Sequence, residues 1–302
     1  MRLALKTKAK VFHFHDPELI PVGILLVLFG KKVIYDVHEN VRDQILGKDW
    51  LPFKRLFSKI YALFDWIAQR FFYIILAENS YEKYYKNCSK GYEFVLNTPD
   101  LSFFENYNVP NRENLGHDLF YVGGVSDDRG LDVTVKAVNI LKEKYPLIQF
   151  HCVGPITEGD LERLKADKDL DTVWKHITFY GNTPLDKAYE ISKKCRIGLA
   201  VLKPIKNYLL SYSTKTFEYL AVSLPVVTSD FDLYKNIFEK NKCGWCINPA
   251  SEQALAETIT EIFNNTEKTR QFIQSGYQYV HKEFSWVNDR ERLLRFYSKI
   301  IG

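Results

Sequence analysis

One stretch of the chain reads Phe120-Tyr-Val-Gly-Gly-Val-Ser-Asp-Asp-Arg-Gly-Leu-Asp132. Its apolar start, its paired glycines and the apolar spacing that follows at Val135, Val138 and Leu141 predict a strand, a turn and a helix. Glycine lets backbone approach a ligand, and a helix N-terminus beside Arg129 suits a diphosphate; an ordinary turn would look the same. The dinucleotide pattern Gly-x-Gly-x-x-Gly is absent at this turn, which argues against a nicotinamide enzyme. A second stretch, Ser213-Thr-Lys-Thr-Phe-Glu-Tyr-Leu-Ala, predicts a helix capped by Ser213 or Thr214. Lys215 and Glu218 then sit on neighbouring faces of its first turns. A cation and a carboxylate at one helix mouth suit a ligand with a phosphate and a diol, although an exposed ion pair of about 0.3 kcal/mol has the same spacing.

Other residues raise other chemistries. His38 ends the run Val33-Ile-Tyr-Asp-Val-His, and a histidine at a strand end serves either structure or catalysis. His13 and His15 alternate along one strand near Asp16 and Glu18, but no second pair follows at metal-ligand spacing, so no metal site is expected. Cys243-Gly-Trp-Cys246 has dithiol spacing, yet the sequence continues as a strand rather than a helix, which favours a structural role. Asp169-Leu-Asp171 and Asp230-Phe-Asp232 have the spacing of a metal-binding pair that recurs by chance in charged loops. The stretch Trp50 to Tyr73, basic and aromatic, reads as a core helix or as one lying on an anionic membrane.

Those residues need positioning, and the pattern around them is of short β-rich runs alternating with helical ones, the signature of parallel sheets covered by helices. In the first half, strands are expected near Val11 to His15, Lys32 to His38, Tyr73 to Ala77 and Tyr92 to Leu96. A buried helix is expected over Glu18 to Phe29. Another, over Pro52 to Phe71, should bury Leu56, Ile60, Leu63, Phe64 and Ile67. Asn97 to Gly116 has no periodic face and reads as an interdomain connection. Six further strands are expected, near Leu119 to Val122, Gln149 to Val153, Ile177 to Tyr180, Ile197 to Leu202, Pro225 to Thr228 and Trp245 to Ile247. The expected organisation is a first domain at 1–108, a second at 117–284, and a terminal helix at 285–302 packing back towards the first. The first domain opens in mid-element at Arg2 to Lys8, so it is either small or lacks βα units, and the edge at Val11 to His15 should expose an apolar groove.

Taken in order, "FYVGGVSDDRGLDVTVKAV", "FHCVGP", "ITFYGNTP", "STKTFEYLAVSLPVVTSD" and "FSWVNDRERLLRFYSKI" resemble the family-4 retaining glycosyltransferases of the GT-B fold. "HFHDPELIP", "VIYDVHEN" and "VLNTPDLSFF" resemble the acceptor side of the same family. The resemblance implies an α/β protein of two facing Rossmann-like domains, the N-terminal one incomplete. It also implies sugar transfer with retention from a nucleotide diphosphate donor to a hydroxyl acceptor, in cell-surface polysaccharide or glycolipid synthesis. The nucleotide-sugar is a co-substrate, and no separate cofactor or metal is implied. By the same resemblance Arg129 meets the diphosphate with Gly123 and Gly124, Glu218 bonds the ribose hydroxyls, and His38 reaches the sugar. Two positions depart from the family pattern: Leu210 stands where its first glutamate would be, and Gly124 where a basic residue is common. Lys215 is then the candidate to supply the missing charge, which makes His38, Arg129 and Lys215 the expected catalytic set. The alternatives are a non-catalytic nucleotide-sugar-binding subunit that needs a partner chain, and a GT-B nucleotide-sugar epimerase.

Composition bounds these readings. The 302 residues are 46% hydrophobic and 26% charged with a net charge of +4, ample for two ordinary cores. The charge is not segregated, so nucleic acid is not an expected partner. Five cysteines in a chain this long form no disulfide framework. With no span-length apolar run and no signal-like start, the sequence predicts a cytoplasmic protein, with the inner membrane face and a lipid-linked acceptor as the membrane-side reading.

Overall fold

The computed structural model describes residues 2–48 and 50–302. The chain forms two compact units, one of residues 1–97 with 286–302 and the other of residues 98–285.

Unit 1 is built on a parallel sheet of four strands in the order β1 (Val11–Phe14), β2 (Lys32–Val37), β3 (Tyr73–Leu76), β4 (Tyr92–Phe94). Strands of a parallel sheet are covered on both faces and so run apolar on both. Phe14, Val33, Tyr35, Ile74 and Leu76 face one layer with Ile20, Leu26, Ala68 and Phe72. Ile34 and Ile75 face the other, beneath Phe296 and Ile300 of the terminal helix Trp286–Ile301.

Two helices of this unit differ from expectation. In helix Lys54–Phe71 the buried positions are Ser58 and Ala68, while Leu56, Ile60 and Leu63 are 55%, 44% and 57% exposed. The inward face is the polar-aromatic one: Asp65 accepts from Tyr85 Oη at 2.7 Å and Gln69 Nε2 at 2.9 Å. The period does pick out one apolar stripe, but the neighbouring face is the buried one and the stripe itself is largely exposed. Helix Ile20–Leu28 likewise buries Ile20, Gly23 and Leu26 but leaves Leu25, Leu28 and Phe29 exposed. No helix among the described residues is long and apolar enough to cross a membrane.

Unit 2 holds six parallel strands: β5 (Leu119–Val122), β6 (Phe150–Val153), β7 (Ile177–Phe179), β8 (Ile197–Ala200), β9 (Val226–Ser229) and β10 (Trp245–Ile247). Their order is β10-β9-β8-β5-β6-β7. The chain therefore leaves β5 towards one edge, returns, and proceeds from β8 towards the other, so the crevice between β5 and β8 is the topological switch point, where doubly wound sheets bind ligands. Helix Leu131–Leu141 buries Val135, Ala137, Val138 and Leu141 against this sheet.

The segment at 97–116 is more than a connection. Arg112 is fully buried and its guanidinium donates to Ser192 O at 2.5 Å, Cys195 O at 2.7 Å and Val222 O at 3.0 Å. One side chain thus satisfies carbonyls at the ends of helices Leu185–Ser192 and Thr214–Ala221. Burial pulls its pKa down to about 10, and the carbonyl set compensates the buried charge.

Candidate functional site

The cleft at the switch point of unit 2 has a volume of about 410 Å³ and is lined by Val122, Gly123, Arg129, Tyr208, Lys215 and Glu218 among others. It gathers residues from three separate stretches of sequence. β5 ends at Val122 because Gly123 turns the chain at φ 122°, a conformation that favours glycine. A Cβ there would stand 3.1 Å from Lys215 Nζ and 3.6 Å from Arg129 Nη1, so both cations converge on bare backbone. A Cβ on Gly124 would likewise stand 3.5 Å from Arg129 Nη1. A short 3-10 turn, Asp127–Arg129, carries Arg129 before the helix begins. Gly130 follows at φ 79°, packed so tightly that a Cβ would fall 2.2 Å from Val201 O.

Lys215 projects from helix Thr214–Ala221 and is only 7% exposed. Its Nζ donates to Tyr121 Oη at 3.0 Å and lies 4.2 Å from the centre of that ring. Tyr121 Oη in turn donates to Gly124 O at 2.6 Å, tying the lysine to the glycine turn. Burial, together with the like charge of Arg129 and against the pull of Glu218, brings the Lys215 pKa down to about 7. Arg129 Nε donates to Tyr208 Oη at 3.2 Å. Two cations, one of them costly to keep charged by itself, form a site prepared for an anion.

Glu218 lies one turn further along the same helix. Its Oε2 accepts from the buried Tyr189 Oη at 2.5 Å. Burial raises its pKa, opposed by Tyr189, Lys215 and Thr214. Ser213 occupies the N-cap position of this helix without a side-chain capping bond; its backbone N donates to Tyr234 Oη at 2.9 Å. Leu210 ends the short helix Lys206–Leu210, so no carboxylate stands at that position.

Gly123, Gly124, Arg129, Lys215 and Glu218 are therefore brought together as expected from the sequence, whereas His38 belongs to unit 1. Sequence reasoning missed Tyr121, Tyr189 and Tyr208, whose hydroxyls orient the charged groups. Their only signal was a high aromatic content, 15% of the chain.

His38 follows β2 and borders a separate cleft of about 390 Å³ lined by His15, Glu18, Tyr35 and Glu39 among others. Its Nε2 is 3.2 Å from Asp36 Oδ1 and 3.0 Å from His15 Nδ1. The contact with Asp36 raises the His38 pKa, with burial opposing. Asp36 is 6% exposed, and although burial works against its charged form, the histidines around it bring its pKa down to about 2.

The other candidates resolve as structural. Cys243 is buried and Cys246 lies in β10; burial pushes both thiols to about 12, far from a reactive thiolate. Asp169 sits in the short turn Lys168–Leu170, and Asp230 lies 3.8 Å from Lys235.

The profile of the family described as glycosyl transferases group 1 matches residues 105–279, more than half of the chain. A phosphatidyl-myo-inositol mannosyltransferase of Mycobacterium leprae is 22% identical over 187 residues, 62% of this chain and 47% of that protein. The amylovoran biosynthesis glycosyltransferase AmsK of Erwinia amylovora is 26% identical over 187 residues, 60% and 45% of the respective chains. The chain spans about half the length of these curated relatives. Among solved structures, sucrose-phosphate synthase from Thermosynechococcus elongatus superposes with a TM-score of 0.73 at 17% identity, over 99% of this chain and 76% of that one. Anabaena Alr3699/HepE, solved in complex with UDP, gives 0.74 at 14% identity over 97% and 79%. Such identities speak to the fold, which is the two-domain GT-B type.

Proposed function

Because this chain belongs to the glycosyl transferases group 1 family, we propose that it moves a sugar from a nucleoside diphosphate donor to a hydroxyl acceptor with retention at the anomeric carbon. The observation that carries the reading is the convergence of Lys215 Nζ and Arg129 Nη1 on the Gly123 backbone at the switch point. A leaving diphosphate gains negative charge as the glycosidic bond breaks, and preorganised cations that face it lower that barrier more than they strengthen ground-state binding. Arg129 and Lys215 take this role, with the turn at Gly123 and Gly124 giving close access. Glu218, oriented by Tyr189, accepts from the ribose hydroxyls. His38 is retained as the candidate catalytic histidine of unit 1.

The donor is proposed to be a nucleotide-hexose and the acceptor a saccharide or lipid-linked hydroxyl. The relatives' names support this: one is a mannosyltransferase of phosphatidyl-myo-inositol and another serves amylovoran biosynthesis, while HepE has been solved with UDP-glucose. A second reading, a nucleotide-sugar-binding subunit active only with another chain, is favoured by Leu210, which offers the sugar no carboxylate.

The test is turnover of a nucleotide-sugar panel with hydroxyl acceptors, followed by proton NMR of the product's anomeric centre. An anomer matching the donor's is expected. Inverted product would overturn the mechanism, and donor binding without transfer to any acceptor would favour the second reading.

A further inference from the structure

The strands of unit 1 alternate side chains between two faces, and one face holds Val11, His13 and His15 from β1 and its continuation beside Ile34, Asp36 and His38 from β2 and its continuation. The apolar members lie under the terminal helix, against Phe296 and Ile300. The polar members converge further along the same face. We propose that unit 1 binds a divalent transition-metal ion of the zinc type through His13 Nε2, His15 Nδ1 and Asp36 Oδ2.

Three observations carry this. The first is spacing: the three ligand atoms lie within 4.8 Å of one another. His13 Nε2 is 3.3 Å and His15 Nδ1 3.2 Å from Asp36 Oδ2. A tetrahedral zinc ion with bonds of about 2.0 to 2.1 Å separates its ligands by about 3.3 Å.

The second is the direction of the lone pairs. His13 Nε2 is buried 3.3 Å from Asp36 Oδ2 but makes no hydrogen bond of good geometry there. His13 Nδ1 is 2.7 Å from Tyr297 Oη on the terminal helix. In the tautomer with the ring proton on Nδ1, donated to Tyr297, the Nε2 lone pair is open to a cation held beside Asp36. A hydrogen bond from the distal ring nitrogen is also how metal-bound histidines are held in place.

The third is completeness and access. His38 Nε2 stands between His15 Nδ1 and Asp36 Oδ1, at 3.0 and 3.2 Å. When His15 turns its lone pair to the ion, His38 Nε2 remains beside Asp36 Oδ1, 3.2 Å away. His15 is 58% exposed at its side chain and borders the His38 cleft, which gives an ion a way in. Two imidazoles and one carboxylate, with a coordination position left over, match the three-ligand pattern of open zinc sites.

The experiment uses the full chain, stripped with a chelator and titrated with Zn2+ alone against a chromogenic competitor, then with Co2+ as an optical probe. Saturation at one equivalent and visible absorption of tetrahedral Co2+ without thiolate charge transfer are expected. His15→Ala, at an exposed position, should weaken binding about tenfold or more while circular dichroism stays unchanged, and His13→Gln should do the same. His117→Ala is the control and should leave affinity intact. The proposal is overturned if binding does not saturate near one equivalent. It is also overturned if His15→Ala and His13→Gln both bind as the parent does, or if the cobalt spectrum reports sulfur ligands.

Discussion

Lys215 gives the account its sharpest test, because it should be a burden to the empty protein and an asset to the occupied one. Its pKa falls from 10.5 to about 7 through burial and the neighbouring Arg129. At ~1.4 kcal/mol per pH unit this sets a ceiling of roughly 5 kcal/mol on the cost of keeping the ammonium there. The hydrogen bond to Tyr121 Oη is lost on substitution. With that deducted, Lys215→Met, which preserves the length of the stem, should stabilise the empty protein by about 1 to 3 kcal/mol. The same change removes a charged contact to the diphosphate and should weaken donor binding by about 2 to 3 kcal/mol, roughly 30- to 150-fold. Thermal unfolding with and without donor reads both effects at once: the variant should melt higher alone and gain little from donor. A variant that melts lower yet binds donor normally would refute the reasoning and make Lys215 a packing residue.

Further expectations follow from the same cleft. Lys215 is displaced downward, so the unfolded chain binds the extra proton between about pH 7 and 10.5; its stability penalty is full below about 7 and fades as pH rises through that window. Donor affinity should move the other way, falling above about pH 7 by up to tenfold per unit, and Lys215→Arg should flatten the calorimetric profile. Glu218→Gln, which keeps an acceptor for Tyr189 Oη, should weaken nucleotide-sugar binding by about 1 to 3 kcal/mol with little change in melting temperature; an unfolded variant would instead mark it as structural. Arg129→Ala should lower kcat more than donor affinity, and unchanged steady-state kinetics would move the clamp to Lys215 alone.

Much of this site was legible because its parts lie close in sequence to strong local signals. Gly123, Gly124 and Arg129 sit on one strand, turn and short helical turn, and Lys215 and Glu218 share the first turns of one helix. What escaped depends on contacts between distant stretches. Tyr189 meets Glu218 across 29 positions and Tyr208 meets Arg129 across 79, with no local pattern to announce either. Arg112 looked like loop composition because its partners are carbonyls, which carry no sequence signature. The ligand proposed beside His13 and His15, Asp36, comes from the adjacent strand and so had no local signal. In helix Lys54–Phe71 the period found a real apolar stripe, but tertiary packing turned the neighbouring face with Asp65 inward and left Leu56, Ile60 and Leu63 exposed.

The most direct test of the donor site is calorimetric titration of the parent chain and of an Arg129→Ala, Lys215→Met double variant with a panel of nucleoside diphosphate sugars. The account predicts that one donor class binds the parent at one per chain and that the double variant loses at least about 30-fold in affinity. Equal affinity in the two proteins would contradict it.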